Sequence, residues 1–121
     1  MLLLTTDIQG QQVLVKLTGE LDPLALGPFR RKLEDLLQLG HRILILDLRH
    51  LQFIYSDALG AIAQTAAALR RKGGRLYLAN PSERLNKLLE ISGLWTLLRP
   101  MDTADSQPLP LLGRRSVQLR R

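Results

Sequence analysis

A chain of 121 residues with 45% apolar residues and a formal net charge of +6 is long enough for one packed domain and a tail. The absence of cysteine excludes disulfides, thiolate metal sites and cysteine nucleophiles, and no apolar run is long enough to span a bilayer. Met1-Leu2-Leu3-Leu4 lacks the basic flank and small-residue cleavage site of an export signal, so the cytoplasm is the expected compartment.

In chain order, residues 2–8 read as an edge strand. Gln9-Gly10-Gln11 reads as a turn, and the alternation of Val13, Val15 and Leu17 as a second strand, pairing with the first as an antiparallel hairpin. Asp22-Pro23 then opens a helix: the carboxylate accepts from free N–H groups, and proline suits the first helical position. Leu26, Phe29, Leu33, Leu36 and Leu37 form its apolar stripe, and Gly40 ends it. Ile43-Leu44-Ile45-Leu46 is apolar on both faces, as a central covered strand requires. After Asp47 and Leu48, a connection of about eight residues is expected before an Ala-rich helix opens at Ser56-Asp57-Ala58.

That helix ends in Arg70-Arg71-Lys72 and Gly73-Gly74, and Arg75-Leu76-Tyr77-Leu78-Ala79 is a further strand. Asn80-Pro81-Ser82-Glu83 reads as a helix start with Asn80 as N-cap; Leu85, Leu88 and Leu89 form the buried stripe and Ser92-Gly93 the stop. A last short strand is expected at 97–101, at the sheet edge because of Pro100. Residues 102–121, with two Asp against four Arg, read as a flexible basic tail. The resulting fold class is α/β: a mixed, mostly parallel sheet of four to five strands covered by three main helices. The domain spans 1–101 and the tail 102–121.

The sequence offers little to a catalyst. Two histidines, His41 and His50, flank the central strand at its two ends, where no set of three or four metal ligands converges. There is no GxGxxG and no P-loop. Ser56 lacks the flanking glycines of a nucleophile elbow and a placed base. No enzyme activity, metal or cofactor is expected. Basic residues gather mostly at helix ends, which the helix dipole accounts for, and aromatics are too few for base stacking; neither nucleic acid nor membrane is an expected partner. The strand-to-helix join at Tyr55-Ser56-Asp57 is where α/β domains tend to place working residues. Asp57 there reads either as a helix cap or as part of a recognition site.

Val15-Lys16-Leu17-Thr18-Gly19-Glu20-Leu21-Asp22, then Ile45-Leu46-Asp47-Leu48 and Phe53-Ile54-Tyr55-Ser56-Asp57-Ala58-Leu59-Gly60, resemble the STAS domains of bacterial anti-sigma factor antagonists, whose central pattern is F-[IM]-D-S-[ST]-G-L-G. Gly73-Gly74, Asn80 and the run LLEISGL at 88–94 resemble the later segments, and the likeness covers residues 10–101. It implies a non-catalytic module that binds a kinase-type anti-sigma factor or related signalling partner, as a monomer or weak homodimer. In the family, phosphorylation of the second hydroxyl residue of D-S-[ST] releases the partner, because phosphate adds about −1.5 to −2 charges inside an interface. Here the Asp of that motif is Tyr55, its first Ser is Ser56, the phosphoacceptor position is Asp57 and the following Gly is Ala58. Asp57 has no hydroxyl, so either it imitates the phosphorylated state, or the partner binds without phosphorylation, or Ser56 accepts the phosphate; the second is favoured.

The expected partner surface is Asp22, Tyr55, Ser56, Asp57 and the first turn of the next helix, with Ala58, Ala61 and Gln64-Thr65 as exposed-face candidates; the small residues among them equally suit packing on the sheet, the reading favoured for at least half of them. The alternatives are a STAS scaffold or accessory subunit and a small-ligand (nucleotide) sensor domain.

Overall fold

The computed structural model describes residues 1–94. The strand expected at 97–101 and the tail at 102–121 lie outside the described residues. The elements run β1 (Leu2–Gln9), β2 (Gln12–Leu21), α1 (Pro23–Gln38), β3 (Ile43–Ile54), α2 (Ser56–Arg71), β4 (Arg75–Ala79) and α3 (Glu83–Ser92). The four strands lie in the order β1-β2-β3-β4. β1 and β2 form the antiparallel hairpin, while β2–β3 and β3–β4 are parallel, as the helical crossovers between them require.

Alternation along the strands sorts the sheet into two faces. Val13, Val15 and Leu17 of β2, Leu44, Leu46 and Leu48 of β3, and Leu76 and Leu78 of β4 enter one core. Phe29, Leu33 and Leu36 of α1, Ile62 and Leu69 of α2, and Leu85 and Leu89 of α3 pack into the same core. The other face carries a smaller cluster, Leu14 and Ile45 with Ile43, Tyr77 and Ala79 against them.

β3 corrects the sequence reading. The expected connection after Leu48 is strand almost to its end, leaving Tyr55 alone between β3 and α2. The pattern of Leu48, Leu51 and Ile54 buried at three-residue intervals fits neither a strand nor a helix period. Two register breaks explain it: β2 advances from Lys16 to Thr18 while β3 advances from Asp47 to His50, and from Gly19 to Glu20 while β3 goes from Leu51 to Phe53. Each bulge inserts one extra residue into β3 and resets which side chain faces inward. Asp47 stands at the first bulge. Its Oδ1 accepts from the Arg49 amide at 3.1 Å and from Asn80 Nδ2 at 3.1 Å, tying the bulge to the turn after β4.

That second bond also corrects the start of α3. Asn80 adopts a left-handed φ of 58° and bonds Asp47 rather than capping the helix. The N-cap is Ser82, whose Oγ accepts from the Leu85 amide at 3.1 Å.

Candidate functional site

The site is built where β2 and β3 end side by side. Leu21 pairs with Ile54, and the Tyr55 amide donates to the Leu21 carbonyl at 2.8 Å. This bond fixes the β2–α1 and β3–α2 junctions as neighbours, so that Asp22 and Tyr55-Ser56-Asp57, 33 or more residues apart in sequence, occupy one end of the sheet. α1 and α2 leave this end together, linked across their exposed sides by a hydrogen bond from Arg30 Nη1 to Gln64 Oε1 at 3.2 Å.

Asp22 behaves as the sequence predicts: it is the N-cap of α1, and its Oδ1 accepts from the Ala25 amide at 3.0 Å. The carboxylate is half-buried and committed to the helix start. The start of α2 differs. Its N-cap is Tyr55, with extended backbone and no side-chain cap bond. Ser56 and Asp57 are both exposed, and neither side chain forms a hydrogen bond or ion pair among the described residues. The capping role that residue type suggests for them is therefore not used. Asp57 keeps a charge in the first turn, where the helix dipole favours it by about 0.3–1 kcal/mol, and its carboxylate faces solvent without an internal partner.

Of the two readings of Ala58, Ala61 and Thr65, the exposed partner face is corrected and packing on the sheet holds. Ala58 is fully buried and Ala61 and Thr65 nearly so, and the Thr65 hydroxyl donates back to the Ala61 carbonyl at 2.9 Å. The reason is packing: α2 lies flat on the sheet, and a methyl side chain is what lets its axis approach closely. The solvent face runs instead through Asp57, Gly60, Gln64 and Ala67. Of these, Asp57 and Gln64 were sequence candidates; Gly60 and Ala67 were not singled out. The signal for the correct phase was present in Leu59, Ile62 and Leu69, whose spacing defines the inward stripe.

Among the described residues no group of three or more His, Cys, Asp or Glu is arranged to hold a metal. His50 lies exposed on β3 opposite Thr18, while His41 lies in the α1–β3 connection at the other end of the sheet.

Comparison with known proteins agrees with this architecture. The STAS domain family model matches residues 4–106. An anti-sigma-B factor antagonist of Staphylococcus aureus (strain NCTC 8325 / PS 47) is 31% identical over 93 residues, covering 77% of this chain and 86% of the relative. The structure of the anti-sigma factor antagonist SpoIIAA in its unphosphorylated form superposes with a TM-score of 0.75 at 23% identity, covering 95% of this chain and all of that one. The Bacillus cell fate determinant SpoIIAA in the phosphorylated form superposes with a TM-score of 0.66 at 27% identity, covering 78% of this chain and 87% of that one. The chain belongs to the STAS domain family.

Proposed function

We propose that this protein is a non-catalytic protein-binding module of the anti-sigma factor antagonist kind, and that it engages a kinase-type anti-sigma factor or related signalling partner through the end of the sheet bearing Asp22, Tyr55, Ser56 and Asp57. The observation that carries the proposal is the state of Asp57. It is an exposed carboxylate in the first turn of α2, free of any capping bond, at the position where the family pattern has a phosphorylatable hydroxyl. A charge with no hydrogen-bond or ion-pair partner among the described residues, at a junction tied by the Tyr55–Leu21 bond, is suited to be read by another molecule.

The relatives named as antagonists of anti-sigma factors support the class of partner. An aspartate cannot be esterified by a serine kinase, and its single charge is half or less of a phosphate's. The module therefore binds its partner without a phosphorylation cycle at residue 57. The solvent face of α2 through Gly60 and Gln64 extends the contact surface.

Capture of a kinase-type anti-sigma factor on the immobilised chain tests this. Wild type retains the partner whether or not ATP is present, and Asp57→Lys releases it while its thermal midpoint stays unchanged. Equal capture by Asp57→Lys, or release of the wild type on adding ATP, contradicts the proposal.

A further inference from the structure

The face of the sheet turned away from the helices is buried at a place where no described element lies on it. The buried apolar residues of α1, α2 and α3 all pack into the first core, and the second cluster consists of strand residues alone. Register sets Leu14, Ile45 and Tyr77 side by side across β2, β3 and β4. Ile45 is 0% exposed and Leu14 5%. Side chains stand roughly perpendicular to a sheet, so neighbours on adjacent strands flank Ile45 but do not cap it. Gln12, paired with Ile43 on the same face, is 6% exposed, and its Nε2 is buried without a hydrogen-bond partner. A buried amide donor left unpaired is costly, so the cover that seals this patch should bring an acceptor.

The sealed patch is small. From the Gln12 row to the Ala79 row, over three strands, it measures about 14 Å by 13 Å at ordinary strand spacings, or about 200 Å². Farther along the same face Leu3 and Phe53 are exposed, so the cover stops short of them. A stable interface between two copies takes about 800 Å² from each, and a second copy of that size would cover Leu3 and Phe53 too.

A short strap from the same chain fits the area. Residues 95–121 follow Leu94, and within them Pro108-Leu109-Pro110-Leu111-Leu112 has the chemistry the patch calls for. Proline favours extended backbone, in which alternate side chains share one side, so Leu109 and Leu111 can meet the sheet together. Prolines carry a carbonyl but no N–H, so this run has a carbonyl on all five residues and an N–H on only three. That surplus of acceptors matches the donor that Gln12 leaves unpaired. The 14 residues between Leu94 and Leu109 reach up to about 46 Å, enough to round an edge of the sheet. The run lies past the 4–106 family match.

We infer that residues 108–112 strap the second face of the sheet, seating Leu109 and Leu111 on Leu14, Ile45 and Tyr77 and offering a backbone carbonyl to Gln12 Nε2. The patch lies toward the start of β3, so the strap leaves the end that bears Asp57 open to a partner.

Nitration of the full chain by tetranitromethane, read by peptide mass spectrometry, tests the inference, because the two tyrosines report on different places. Tyr77 lies under the strap and Tyr55 at the partner site. Leu109→Asp, Leu111→Asp and Leu112→Asp together raise the nitration rate of Tyr77 about fivefold or more and leave that of Tyr55 within about twofold. The chain has no cysteine, which permits a second measurement. With Tyr77→Cys and Leu111→Cys, oxidation closes a disulfide within one chain, about tenfold or more faster than with Leu111→Cys and Glu34→Cys, the latter on the exposed side of α1. An unchanged Tyr77 rate in the triple variant, equal closure of the two cysteine pairs, or a disulfide that joins two chains and slows on dilution overturns the inference.

Discussion

At the scale of single residues, two glycines and one aspartate hold geometry that other side chains would not. Gly19 has a φ of +109°, and a Cβ there would fall inside the carbonyl of Met1. Gly19→Ala is expected to destabilise the protein by about 1–3 kcal/mol, combining backbone strain with the clash, measurable by urea unfolding. Gly74 reads from sequence only as the second half of a helix stop. In the structure Gly73 ends α2 with positive φ, and Gly74 lets the backbone pass against the Arg42 carbonyl, a close approach that no local sequence signal announces. Asp47 reads as the end of an apolar strand. Its double role, on the Arg49 amide and on Asn80, depends on a residue 33 positions later and is not written in its neighbours. The amino group of Met1 donates to Glu20 Oε1 at 2.9 Å. That hydrogen bond, then the Glu20 charge, raises the ammonium pKa above its usual 8.0. A raised folded-state pKa gives a contribution to stability fully present below pH 8.0 and lost as pH rises through the folded-state value. Glu20→Gln should remove that alkaline decline in the thermal midpoint.

At the scale of elements, the sequence was most legible where one period ruled. α1 followed its Asp22-Pro23 start and its leucine stripe, and the β1–β2 hairpin followed its alternation. β3 was only half legible, because two bulges replace the two-residue period with a three-residue one, and a bulge is fixed by the partner strand rather than by the strand itself. α3 was displaced by two residues at its start for a related reason: Asn80 has the chemistry of an N-cap, but tertiary pairing with Asp47 claims it and Ser82 takes the cap. Ser82→Ala should therefore cost about 1 kcal/mol through loss of the cap. Asn80→Ala should act through β3 instead, changing amide exchange at Arg49 more than at Leu85. In α2 the alanines were ambiguous, since a small residue suits either a close helix–sheet contact or a partner surface. The structure buries Ala58 and Ala61, and substitution of either by Gln is expected to destabilise by about 1–3 kcal/mol through overpacking.

At the scale of the whole molecule, the parallel strands give the protein two unlike ends. One bears Asp22, Ser56 and Asp57 at the N-termini of α1 and α2; at the other, α2 ends in Arg70 and Arg71, while the last turn of α1 carries no basic residue. In α2, with Asp57 in the first turn and Arg70 and Arg71 in the last, side-chain charge follows helix polarity, and the acidic first end suits encounter with a basic partner surface. The strand-to-helix join at Tyr55-Ser56-Asp57 was readable before the fold was known, from the apolar run of β3 and the Ala-rich pattern of α2. What the fold added is that Asp57 is exposed and unbonded, while Ala58 beside it is sealed.

Calorimetric titration of a kinase-type anti-sigma factor into the wild type and into Asp57→Lys bears most directly on this. With unfolding curves that superpose, the charge reversal should weaken binding by about tenfold or more, the effect expected when an interfacial carboxylate is replaced by a like charge facing a basic partner. Affinities within twofold of each other would show that the carboxylate at residue 57 is not part of the surface the partner meets.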